Sequence, residues 1–154
     1  MSSGGGGRRF PSDLEFSDAF KNQPQYGRGG TRFILCRLEK ASAHKEPVDL
    51  TSATIEHILP QTLTQEWKDE LGDEPEKTHS RLLDTFGNLT LTAYNSELGN
   101  LEFSKKKEKL ETTHVELNRW VLMQTNWCEK QISERAEELL GKAKAIWMGP
   151  VATN

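Results

Sequence analysis

Only two cysteines occur in the 154 residues, Cys36 and Cys128, and neither has a second Cys or a His two to four positions away. Structural zinc sites are built on such close pairs, so none is expected, and the two thiols read as buried side chains in a reducing compartment. Long apolar runs are missing as well. Nothing approaches the roughly 18 residues that span a bilayer, and the N-terminus lacks the charged-then-apolar layout of a secretory leader. These absences set the expectation of a soluble, cytoplasmic chain with no membrane partner. A phosphate-cradling loop is also lacking, because Gly4 to Gly7 is not followed by the Lys-Ser/Thr pair such a loop needs. There is no internal repeat. Positive charge is short too, with 20 Lys and Arg against 23 Asp and Glu, a net charge of −3.

That deficit is local, which keeps nucleic acid open as a partner. Residues 1–46 carry eight Lys/Arg against five Asp/Glu, residues 47–85 three against nine, and residues 86–154 nine of each. The acid is concentrated between Glu66 and Glu76, and whole-chain charge says little about a single groove. Hydrophobic residues make up 34% and charged residues 28%, a polar balance that points to tails and solvated helices around one modest core.

Met1 to Arg9 is a Gly/Ser-rich lead, and Asn22 to Gly30, with Pro24 and three glycines, reads as a loose loop. The Gly-Arg-Gly-Gly piece within it is too short to signal RNA binding. A short helix is expected over Asp13 to Lys21, and order from about Thr31. Phe33, Ile34, Arg37 and Leu38 fall at helical spacing over residues 31–43. Thr54 to Leu59 is β-rich and stops at Pro60. Helices follow at Gln65–Leu71 and Lys77–Phe86, then a break at Gly87 and a period-two, half-buried strand at Asn88–Thr92. Further helices are expected at Asn95–Leu101 and Ser104–Glu111. A long amphipathic one is capped by Asn126, with Ile132, Ala136, Leu139, Leu140, Ala143, Ile146 and Trp147 on its apolar stripe, and Gly149-Pro150 closes it. The fold class is α+β.

The chemistry gathers in three places: a strand ending in Glu56-His57, a strand opening at Gly87-Asn88, and a helix opening at Asn95. A hairpin followed by a helix brings the end of the first strand close to the start of the helix. An imidazole, a carboxylate and an amide oxygen then share one neighbourhood. Neutral imidazole takes a proton from water near neutral pH. Carboxylate and amide oxygens are hard ligands suited to Mg2+ or Mn2+. This is a set that can hydrolyse phosphodiesters.

Taken with their order, the runs Ile55-Glu56-His57-Ile58-Leu59-Pro60-Gln61, Gly87 to Asn100 and Phe103 to Leu110 resemble the C-terminal HNH-endonuclease domain of GmrSD-type, modification-dependent restriction proteins of bacteria and archaea. The resemblance runs from about Phe33 to Trp147. It implies a ββα-metal (His-Me finger) core wrapped by helices, and divalent-metal cleavage of DNA, with nicking as the default. Carried over by position, His57 matches the general base and Glu56 the acidic metal ligand, where many relatives have Asp. Asn95 matches the last residue of the triad and second ligand, with Asn100 as the alternative. Asn88 matches the middle residue, which braces the loop around the active site through backbone contacts. Lys105, Lys106 and His79 are the candidate substrate contacts. The resemblance also implies an N-terminal sensor or nucleotide-binding module, here on a missing segment or a separate chain, with modified DNA among its targets. Residues 1–30 are then lead and linker, 31–148 the nuclease domain and 149–154 a tail.

Plainer roles stand beside each of these. Asn88 is also a good turn residue and Asn95 a good helix cap. Lys105 to Lys107 fit a solvated helix face, His79 a structural position, and His44 and His114 exposed loops. Trp67, Trp120, Trp127 and Trp147 fit a core. Two other functions fit the same sequence. One is an RNA-cutting HNH nuclease. The other is a non-catalytic nucleic-acid-binding or interaction module, which gains ground if Glu56 and His57 point apart.

Overall fold

The computed structural model describes residues 9–42, 48–93 and 95–147, with the backbone only at 95 and 96. The order of elements is α1 (Asp13–Asn22), α2 (Thr31–Ala41), β1 (Thr54–His57), α3 (Gln65–Leu71), α4 (Pro75–Leu82), a 3-10 turn (Phe86–Asn88), β2 (Leu89–Thr92), α5 (Asn95–Leu98), α6 (Phe103–Glu111), a second 3-10 turn (Glu116–Asn118), α7 (Arg119–Leu122) and α8 (Glu129–Ile146). It is an α+β arrangement: helices surround one two-stranded antiparallel sheet, and a long helix ends it. Met1 to Arg8, His44, Pro47 and the Gly149-Pro150 closure lie outside the described residues.

The strands pair with Ile55 opposite Leu91, Glu56 opposite Thr90 and His57 opposite Leu89. Side chains alternate across a pleated strand, so Glu56 and Thr90 share one face while Ile55, His57, Leu89 and Leu91 share the other. That second face packs into a core with Phe20 of α1, Leu35 and Leu38 of α2, and Leu139, Leu140 and Ala143 of α8. A second cluster gathers Ile58 and Leu59 beyond β1 with Trp67, Leu82, Leu98, Phe103, Leu110, Val121 and Trp127. Each large apolar side chain withdrawn from water in these clusters contributes roughly 1.5–3 kcal/mol before entropy is set against it.

Several expectations shift. The buried face of α2 is Thr31, Leu35, Leu38 and Glu39, while Phe33 is 61% exposed. Glu39 is buried because its carboxylate accepts the backbone N–H groups of Glu116 and Leu117, at 2.8 and 2.9 Å. Strand β2 is buried on both faces rather than one. Its polar positions are satisfied internally: Thr90 donates its hydroxyl to Asn118 Oδ1, whose amide in turn donates to Leu91 O. Helix α4 begins two residues early, with Pro75 at its first position, and Phe86 belongs to the 3-10 turn. The α8 cap is Cys128, not Asn126, with Gln131 completing the box. Cys128 and Cys36 are accordingly only half-buried. Packing also starts ahead of Thr31, since Phe20 is buried and Lys21 of α1 pairs with Glu137 of α8 at 2.7 Å.

Candidate active site

β1 ends at His57, and the next residue bonds the 3-10 turn that precedes β2, Ile58 N–H donating to Asn88 O at 3.0 Å. Asn88, at the end of that turn, is fully buried and uses its whole amide on neighbouring groups. Its Oδ1 accepts Leu59 N–H at 2.7 Å and the indole N–H of Trp127 at 3.1 Å. Its Nδ2 donates to Leu59 O and to Leu83 O, both at 2.9 Å. One side chain thus ties the segment just past His57 to the segment just before Asp84, and through Trp127 the stretch leading into α8 to both. Asn88→Ala would leave two buried N–H donors and two carbonyls without these partners. At roughly 1–3 kcal/mol per stranded buried group, softened by relaxation, a stability loss of about 3 kcal/mol is expected in urea denaturation. A shift below about 0.5 kcal/mol would show that the brace is dispensable.

His57 is buried, and its Nε2 lies in hydrogen-bond contact with Asp84 Oδ1 at 2.8 Å. Tyr26 sets its ring edge against the imidazole, with centroids 4.4 Å apart. Burial pushes the His57 pKa below its ordinary value. The Asp84 carboxylate opposes that shift, while Lys106 and His79 add to it. The imidazole is therefore neutral near neutral pH, the form that can accept a proton. Sequence reasoning missed both Asp84 and Tyr26. Tyr26 falls in the stretch read as a loose linker, yet Gln25 N–H and Tyr26 N–H both donate to Asp84 O, and Thr31 donates its hydroxyl to Gln25 O.

Glu56, one residue earlier, faces the other side of the strand. Its Oε1 accepts from Lys106 Nζ of α6 at 2.8 Å, and the same ammonium donates to His57 O at 2.7 Å. Both side chains are out of solvent, with Lys106 0% exposed. Burial pushes the Glu56 carboxyl up and the Lys106 ammonium down, and the attraction between them opposes both shifts. This corrects the reading of Lys106 as a substrate contact, since a fully enclosed ammonium cannot reach a phosphate. The reason is helical phase: Phe103, Lys106 and Leu110 lie on one face, and that face is the buried one. Lys107 is held by Gln124 O and lies over the Phe103 ring. Lys105 remains exposed, 3.5 Å from Glu108. His79 Nε2–H donates to Pro60 O at 2.8 Å.

The side chain of Asn95 lies outside what is described, but its backbone opens α5, which packs on β1. The exposed Asn100 follows two residues after α5. Among the described residues no three His, Cys, Asp or Glu converge as a metal cage. Glu56 is a hard-oxygen donor of the kind a divalent ion takes, and it would have to share its carboxylate with Lys106.

A two-stranded sheet carrying a neutral, carboxylate-bonded histidine at its end marks an α+β domain with a candidate proton-transfer site. The sequence profile described as GmrSD restriction endonucleases, C-terminal domain, matches residues 10–142, and the chain belongs to that family. It is thereby a domain of restriction-nuclease class. No curated protein matches the chain. Among the described residues, no helix is long and apolar enough to cross a membrane.

Proposed function

We propose that the chain is an HNH-type, metal-dependent endonuclease, with β1, β2 and α5 as its ββα-metal unit. It hydrolyses DNA phosphodiester bonds, one strand per site, as the cleaving part of a bacterial or archaeal restriction defence. The observation that carries this reading is His57: a buried imidazole kept neutral, fixed by Asp84, at the end of a strand braced through Asn88. His57 takes a proton from water, the water oxygen bonds to phosphorus, and the bond to the 3′ oxygen breaks. Glu56 and Asn95 would hold the divalent ion, Mg2+ or Mn2+, which when bound neutralises charge on the phosphate oxygens. Lys105, exposed on α6, is the candidate phosphate contact, and His79 of α4 would be a second substrate contact. Recognition of modified DNA belongs to a partner module.

The test is nicking of supercoiled plasmid with Mg2+, Mn2+ or EDTA. Metal-dependent nicking that falls by about 10²–10⁴-fold in His57→Ala is expected. Activity that survives in His57→Ala would sink the assignment. A second reading, a non-catalytic nucleic-acid-binding module, is favoured by one observation: Glu56 faces away from His57 and is already paired with Lys106. Plasmid retardation in native gels without nicking in any metal would select it.

A further inference from the structure

We propose that Asp84 is a positioning residue that fixes the proton of His57 on Nε2 and so makes Nδ1 the atom that takes the proton from water. The inference rests on the nuclease reading and extends it to a residue outside the three runs that carry the family resemblance.

Three independent contacts converge on this pair. The first is direct: Nε2 lies 2.8 Å from Asp84 Oδ1, an oxygen that as carboxylate only accepts, while Nδ1 has no hydrogen-bond partner among the described residues. The two ring nitrogens of a neutral imidazole are not equivalent. The one that donates a hydrogen bond is protonated, and the other keeps its lone pair. The second contact holds Asp84 itself. Its carbonyl accepts Gln25 N–H at 2.7 Å and Tyr26 N–H at 3.3 Å, and the Tyr26 ring closes on the imidazole from the same segment. The third is Asn88, whose single amide bonds Leu83, next to Asp84, and Leu59, two residues past His57. Carboxylate and imidazole are thus held in register by backbone on both sides, not by side-chain packing alone.

The chemistry follows. As water gives its proton to Nδ1, the ring becomes an imidazolium whose Nε2–H already points at a carboxylate. The Asp84 carboxylate stabilises the positive charge as it forms, without taking the proton. Its side chain is 36% exposed, so water reaches it and part of the interaction is screened. The rate effect is therefore a fraction of the whole general-base contribution.

The experiment reads tautomer and rate together, on wild type, Asp84→Asn and Asp84→Ala. The 15N chemical shifts of the His57 ring at pH 7.5 report which nitrogen is protonated, and plasmid nicking in Mg2+ reports the rate. Expected are a protonated Nε2 in wild type, a mixed population in Asp84→Ala with a rate about 10–100-fold lower, and rates across the three proteins that follow the Nε2–H fraction. A purely structural Asp84 would shift the melting temperature and leave the tautomer alone. A wild-type ring protonated on Nδ1, or an Asp84→Ala protein with unchanged tautomer and rate, would overturn the proposal. A wild type with protonated Nε2 that nicks nothing would instead overturn the nuclease reading and leave the Asp84 contact standing.

Discussion

Lys106→Met is expected to lower the unfolding free energy by about 3–5 kcal/mol, because it strands the Glu56 carboxylate in the interior. Glu56 is 4% exposed and Lys106 is its ion-pair partner, so the mutant must either protonate the carboxyl or draw water in. The partner change, Glu56→Leu, strands the ammonium instead and costs a similar amount. Joined in one chain, the two should not add. With both charges gone, the main remaining loss is the hydrogen bond to His57 O. The double variant is therefore expected to be more stable than either single variant, with a coupling energy of about 2–3 kcal/mol. Urea denaturation of the four proteins measures it. Strict additivity would mean that the pair makes no net electrostatic contact in solution. Divalent-ion affinity on the same set links this pair to the site: if Glu56 binds the metal, Lys106→Met changes that affinity and Glu56→Leu abolishes it.

The buried cations illustrate what the sequence disclosed and what it hid. Helix and strand positions followed from apolar spacing and turn residues, and α3 falls on the expected Gln65–Leu71. The Glu56-His57 and Gly87-Asn88 ends were legible for the same reason: Pro60 and Gly87 punctuate the pattern there. Lys106 was read with its neighbours as one solvated run, although its phase carried the contrary signal, three residues after Phe103 and four before Leu110. Arg135 repeats the case on α8. It stands three residues after Ile132 and four before Leu139, is fully buried, and donates to Phe86 O, Gly87 O and Leu89 O. Burial lowers its pKa to about 10, which still leaves it charged at neutral pH. Periodicity treats a charged residue on an apolar stripe as noise, whereas here the charge holds the backbone that feeds β2. Asp84 left no such trace. It meets His57 across 27 residues through a turn whose path depends on Asn88, and no local pattern encodes that meeting.

Gly87→Ala is the second large effect expected, and it tests how tightly α8 controls the site. No left-handed conformation requires glycine here. The constraint is close approach: a β-carbon at position 87 would fall inside contact distance of the Ile132 carbonyl oxygen, 3.1 Å from Ile132 Cγ2 and 3.2 Å from Ala136 Cβ. The first of these is helix backbone, which cannot rotate aside, so either α8 or the 3-10 turn must move. Overpacking of this kind costs about 3 kcal/mol, at the upper end of the usual range. The movement would also be transmitted. Residue 87 adjoins Asn88, and its carbonyl is one of the four that Arg135 gathers. Displacing the turn loosens the amide that holds Leu59 and Leu83, and with them His57 and Asp84. Gly87→Ala should therefore lose stability and nicking together, and a second change, Ala136→Gly, should restore neither, because the obstructing atom belongs to the main chain. Recovery in the double variant would place the clash on the Ala136 side chain and free the backbone of α8 from the role assigned to it. A Gly87→Ala protein within about 0.5 kcal/mol of wild type would show that the turn has room to shift, and that Asn88 holds the site without help from α8.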